Sequence, residues 1–219
     1  MKQTRLTDLT DQILACRICR DRPTGRALPH EPRPVLQPSA TARLLIAGQA
    51  PGTRVHQSGR PFTDPSGDRL RQWLGVSMED FYDPARTAIL PMGFCFPGLS
   101  PEGADLPPRR ECALAWRAAC MAAMPQVELV ICLGAHAMRW HMGNAFPGSM
   151  DAAVREWRSG LALSPQVVAL PHPSWRNNAW LKRNAWFETD LLPELRAAVS
   201  RVLPAAPVTA MRATAQLDE

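Results

Sequence analysis

The 219-residue chain reads as an α/β protein, a three-layer α/β/α sandwich around a central, mainly parallel four-stranded sheet. Three observations predict this. Short apolar runs recur at 43–47, 87–90, 128–133 and 167–170, the pattern of strands buried on both faces. Segments of helical periodicity separate them, and alternating strands and helices make a parallel sheet covered on both sides. The loops of most unusual composition, 48–62, 91–108 and 171–178, each follow a strand, and ligands of such sheets bind at the carboxyl ends of the strands.

Each element follows in order. Residues 6–15 form a short amphipathic helix that leads into Cys16-Arg17-Ile18-Cys19, and 21–41 is a proline-rich connection. The run at 43–47 stops at Gly48, where Gly48-Gln49-Ala50-Pro51-Gly52 makes a tight loop. Leu70, Trp73 and Leu74 share one face of a helix over 66–74, which Gly75 ends. After the strand at 87–90 comes a long proline-rich stretch, 91–108, and a loop of that length is usually functional. A helix over 109–124 is closed by Pro125. The strand at 128–133 ends at Gly134, and another helix covers 135–141. The strand at 167–170 runs into Pro171-His172-Pro173-Ser174. A last helix covers roughly 188–202, so that 1–202 is one domain. From Leu203 onward the chain is rich in alanine and proline and reads as a disordered tail.

Composition narrows the function classes. Hydrophobic residues make up 46% and charged ones 21%, normal for a globular protein. No apolar run reaches the roughly 18–20 residues of a membrane span. The N-terminal MKQTRLTDLTDQ lacks the apolar stretch of a signal peptide, so a cytoplasmic location is expected. The net charge of +5 favours polyanions such as nucleic acid. Six cysteines in a reducing compartment argue against structural disulfides, leaving metal binding or burial. Cys120 on a helix face and Cys132 inside a strand read as core packing.

Two segments go beyond a generic α/β reading. One is Gly48-Gln49-Ala50-Pro51-Gly52 followed by Gly59-Arg60-Pro61-Phe62; the other is His172-Pro173-Ser174. With the Leu133-Gly134-Ala135 turn, this pair resembles the active-site motifs of the uracil-DNA glycosylase superfamily. It is most similar to the iron–sulfur branch, and within that to a bacterial subgroup carrying G-Q-A-P-G and H-P-S. The resemblance covers residues 16–194. It implies a monofunctional glycosylase of base-excision repair. Such an enzyme flips uracil or another deaminated base out of DNA and hydrolyses its N-glycosidic bond.

The resemblance also assigns roles. His172 and the backbone N–H of Gln49 supply hydrogen bonds to the departing base, and preorganised donors of this kind are each worth about 3–4 kcal/mol. Phe62 stacks on the base, a contact worth about 1–3 kcal/mol. Gly48, Gln49 and Ala50 form the base pocket. Pro51, Gly52, Ser174 and Arg176 meet the DNA backbone. The chain departs from the iron–sulfur pattern at Gln49, at Val55-His56, where two carboxylates are expected, and at Pro91, where an asparagine reads the base. His56 and Asp64 are the candidates to position water. Met92 with Gly93, or Asn177, are the candidates to replace the missing asparagine. Asp68 is expected to face outward.

Cys16, Cys19, Cys95 and Cys112 resemble the ligand set of the iron–sulfur branch, which implies a [4Fe–4S] cluster. Zinc on the same four thiolates, or no metal, are the alternatives. Trp175, Arg176, Asn177, Trp180, Lys182, Arg183 and Trp186 interleave aromatic and basic residues, as DNA-contacting loops do, although Trp180 and Trp186 also suit a core. A monomer acting on DNA is expected. Two other classes remain open: a non-catalytic module binding damaged or abasic DNA, and a small-molecule enzyme using the glycine loop for phosphate.

Overall fold

A computed structural model describes residues 2–203, with side chains from Leu6 onward. In chain order the elements are α1 (Lys2–Leu14), α2 (Ile18–Asp21), β1 (Leu44–Ala47), α3 (Thr53–Ser58), α4 (Pro65–Leu74), α5 (Met78–Tyr82), β2 (Thr87–Ile89), α6 (Arg110–Ala123), β3 (Leu129–Leu133), α7 (Ala135–Met142), α8 (Met150–Arg155), α9 (Trp157–Gly160), β4 (Gln166–Leu170), α10 (Asn178–Arg183) and α11 (Leu192–Val202). All four predicted strands form. They make one sheet of order β2-β1-β3-β4, with every neighbouring pair parallel. Ile46 stands in register with both Ile89 and Ile131. Nearly every strand residue is buried, so water is excluded from both faces of the sheet.

The connection from β1 moves one way to β2, whereas β3 leads the other way to β4. The chain therefore reverses its winding beside β1, where an open parallel sheet leaves a crevice at its carboxyl edge. Right-handed crossovers place α6 and α7 on one face. There α6 packs on α1, and α7 lies on β3. On the other face α11 packs on α4.

Local chemistry sets the boundaries. Pro65 starts α4 and Gly75, at φ 69°, ends it in the left-handed region, which glycine adopts without steric cost. Inside the segment read as loop, α3 is a further helix. It is six residues long and has no apolar stripe, so periodicity could not reveal it. Its stop was nonetheless written in Gly59, a left-handed cap at φ 72°. The last predicted helix is two pieces: a π-helical turn over Phe187–Leu191, then α11. Leu203, taken as the first residue of a tail, is buried and donates its N–H to the Val199 carbonyl. The rest of that tail, 204–219, lies outside the described residues. No helix among the described residues is long and apolar enough to cross a membrane.

Candidate active site

The crevice is a cleft of about 100 Å³ at the carboxyl ends of the strands. The β1 loop supplies Gly48, Gln49, Ala50, Pro51 and Gly52; Phe62 and Asp64 come from the approach to α4, Pro91 from the end of β2, and His172 from the end of β4. Both sequence motifs therefore open onto one space. Among the described residues, the Gln49 N–H takes no acceptor in any loop or turn bond, which leaves it as a donor. The Gln49 side chain lies over Gly134, where an added Cβ would come within 3.0 Å of its amide nitrogen.

Phe62 is held in a conformation its own chemistry disfavours. It is the one non-glycine residue with positive φ, at 55°, among the described residues, and a bulky side chain there is strained. Its surroundings enforce it. The Tyr82 hydroxyl lies 2.9 Å from the Phe62 carbonyl and 2.8 Å from that of Pro61, donating to this pair. The guanidinium of Arg60 stacks on the Tyr82 ring at 3.6 Å. Gly67 lets the same carbonyl approach so closely that an added Cβ would sit 2.0 Å from its oxygen. The ring of Phe62 packs edge-on against Phe81 and reaches across Gly48, forming a wall of the cleft.

Burial holds the His172 imidazole below its usual pKa, with Arg176 acting the same way and the carboxylates of Asp64 and Asp105 opposing. His172 is thus neutral at neutral pH, and a neutral imidazole can donate a hydrogen bond to developing negative charge. Asp64 precedes α4, and its Oδ1 accepts a 2.6 Å bond from the Ser66 hydroxyl. Asp105 is a carboxylate that sequence reasoning missed. It comes from the long proline-rich loop and pairs back on Leu99 in an isolated antiparallel bridge. Its carboxylate lies beside Gly52, which sets a negative charge close to a residue expected to meet phosphate. A loop fold this non-local leaves no periodicity to read.

Several expected residues stand elsewhere. Val55, not His56, lines the cleft. The His56 ring packs against His30, with centroids 4.4 Å apart, and against Phe96; burial lowers its pKa. The N–H groups of Met92 and Gly93 are spent on the carbonyls of Gly48 and Gln49, so neither N–H is left to read a base, and the Met92 side chain is buried outside the cleft. Asn177 donates from Nδ2 to the His172 carbonyl at 2.7 Å, bracing the imidazole-bearing turn instead of facing the cleft. The Ser174 carbonyl accepts from Arg69. Arg176 is exposed beside Trp175, which is 73% exposed. Trp180 and Trp186 pack on the core and on each other. Asp68 faces outward, paired with Arg71.

A buried cation, Arg117 on α6, was also missed, because an arginine on a helix normally reads as surface. Its Nη1 donates to the carbonyls of Leu90 and Pro91, at 2.7 and 3.2 Å, and Nη2 meets His141 Nε2. Desolvation pushes its pKa down to about 10. Arg117 thereby ties α6 to the backbone that forms the Pro91 wall.

Cys16, Cys19, Cys95 and Cys112 line a second, small cavity, between the N-terminal segment, the long loop and α6. Burial pushes the Cys95 and Cys112 thiols up to about 12. The Trp116 indole N–H points at Cys16 Sγ from 3.4 Å, and the Phe94 N–H at Cys112 Sγ from 3.3 Å. Among the described residues no three His, Cys, Asp or Glu side chains are gathered tightly enough for a single metal ion. Cys120 and Cys132 are buried in the core.

A parallel α/β sheet with an imidazole, two carboxylates and a strained aromatic residue at its carboxyl edge defines a class of protein that can hold a flat polar ligand. The family model of the uracil DNA glycosylase superfamily matches residues 35–196, and the chain belongs to that superfamily. Both motifs and the whole sheet fall inside the match.

Proposed function

We propose that this chain is a monofunctional DNA glycosylase that hydrolyses the N-glycosidic bond of uracil or another deaminated base. One observation carries the reading: His172, Phe62, Gln49 and Asp64 share a single cleft. A base extruded from DNA stacks on Phe62. As the bond between sugar and base breaks, its electron pair moves onto the base. Neutral His172 and the Gln49 N–H stabilise that charge by hydrogen bonds. Water adds to the sugar carbon and yields its proton to a carboxylate. Asp64, the more enclosed of the two, takes that role. The negative charge of Asp105 supports the cationic sugar. His56 has no part, since it faces away. No lysine lines the cleft, in keeping with attack by water without a Schiff base.

We also infer a [4Fe–4S] cluster on Cys16, Cys19, Cys95 and Cys112. The convergence of these four thiols on one cavity supports it, and N–H groups aimed at two of the sulfurs suit thiolates. The bound cluster would supply no bond-making chemistry, only a tie between the N-terminal segment, the long loop and α6.

The test is a panel of oligonucleotides carrying uracil, hypoxanthine or xanthine, incubated with the protein and treated with alkali. Strand breaks at one of these bases, lost in His172→Ala, are expected. Intact strands across the whole panel would sink the glycosylase reading. Tight binding to abasic DNA in that case would favour a non-catalytic module.

A further inference from the structure

A groove of about 700 Å³ runs between α6 and α7, well within the size range of ligand clefts. Its lining has no carboxylate. Arg109, Arg110, His136 and Arg139 line it, together with Trp140 and Leu114. Arg109 is paired with Glu111, but among the described residues neither Arg110 nor Arg139 has an acidic partner. Arg139 lies over the Phe146 ring at 5.3 Å. Leu114 is 75% exposed and Trp140 40%. Cations without acidic partners beside exposed apolar side chains match a polyanion that also carries apolar faces.

The groove adjoins the candidate active site. Pro91 lines the cleft, and Met92, the next residue, lines the groove. The backbone between them is fixed by the Met92 N–H on the Gly48 carbonyl and by Arg117 on the carbonyls of Leu90 and Pro91. A strand whose base enters the cleft can therefore run on across this rim into the groove.

We propose that the α6–α7 groove binds an unpaired stretch of DNA continuous with the strand in the cleft. Arg110 and Arg139 take its phosphates, and Trp140 and Leu114 take the faces of its bases. The chemistry selects a single strand over a duplex. Stacking on Trp140 needs exposed base faces, and a cationic groove with an aromatic platform is how proteins hold single strands without regard to sequence. The inference rests on the reading of the chain as a DNA-acting enzyme.

Fluorescence anisotropy of the full chain with an undamaged oligothymidylate of about fifteen nucleotides tests it. Arg110→Glu/Arg139→Glu is expected to weaken binding by about ten-fold or more. The dependence of log affinity on log salt should flatten by about 1.4, roughly 0.7 for each lost phosphate contact. Both arginines are on the surface, so folding should persist, as circular dichroism will check. Arg110→Gln/Arg139→Gln should give a smaller loss in the same direction. Unchanged affinity and salt slope in both double variants would overturn the proposal. So would a larger loss for duplex than for single strand, or no oligothymidylate binding by the wild type at low salt. Because the oligonucleotide is undamaged, the readout needs no cleavage. Failure of the base panel with a responsive groove removes the glycosylase alone, and cleavage with an unresponsive groove removes the strand site alone.

Discussion

At the scale of single residues, the cleft separates two carboxylates by environment. Asp64 is half-buried and bonded to Ser66, whereas Asp105 is exposed and screened by salt and water. A general base contributes about 10²–10⁴-fold. Asp64→Asn should therefore lower single-turnover base release by about 10²-fold or more, and Asp105→Asn by about ten-fold, less because of that screening. An effect larger at 105 than at 64 would reverse the assignment. The imidazole makes a second prediction. Burial lowers the His172 pKa, so the neutral donor persists below the usual value of about 6.5. The rate should fall only at more acid pH, as the imidazole protonates. His172→Gln should remove that limb, and an identical acid limb in the variant would assign it to another group. His172 and Phe62 could be read from the sequence because each belongs to a short local motif. Asp105 could not be, since its place depends on how a long loop folds back on Gly52.

Whole elements show the same division. Four strands were legible because burial on both faces leaves uninterrupted apolar runs. Short helices such as α3 and α8 were not, for few of their side chains reach the core and a stripe of one or two residues has no period. The entry to α4 was half legible. Pro65 and Gly75 mark its ends, but nothing local shows that Gly67 must leave room for the Phe62 carbonyl. That contact yields a prediction for the element. Gly67→Ala puts a Cβ against backbone rather than against a flexible side chain, so the loop or the helix must move. The cost should be about 1–3 kcal/mol in urea unfolding, with base excision reduced more than DNA binding because the strained Phe62 loses its clamp. Wild-type stability and activity in this variant would show that the loop conformation is not enforced from α4. The cysteine cavity joins α1, α2, the long loop and α6, and a cluster there would act as a cross-brace. Cys95→Ala should abolish brown colour and absorbance near 400 nm and lower the unfolding midpoint of iron-reconstituted protein. A variant as stable as that reconstituted protein would deny the cavity a bracing role.

For the molecule as a whole, protonation couples stability to the same interior that shapes the site. Burial lowers the pKa values of His56, His136 and His172, and that of His141 falls well below the usual value, with Arg117 adding to the effect. The unfolded chain binds protons at these imidazoles near pH 6.5, whereas the folded chain resists them to lower pH. Between those limits the unfolded state holds more protons, so stability rises with pH there. It is complete above about 6.5 and is lost progressively on acidification. His141 dominates, because its Nε2 is the acceptor for Arg117 Nη2, and protonation would set two cations together beside the chain that carries Pro91. Urea unfolding midpoints should therefore drop steeply from about pH 7 to pH 5. His141→Gln keeps an acceptor for the guanidinium but cannot titrate, and it should lose part of that slope even if its stability at pH 7 is lower. A pH slope equal to wild type would mean that the Arg117–His141 pair does not govern acid sensitivity.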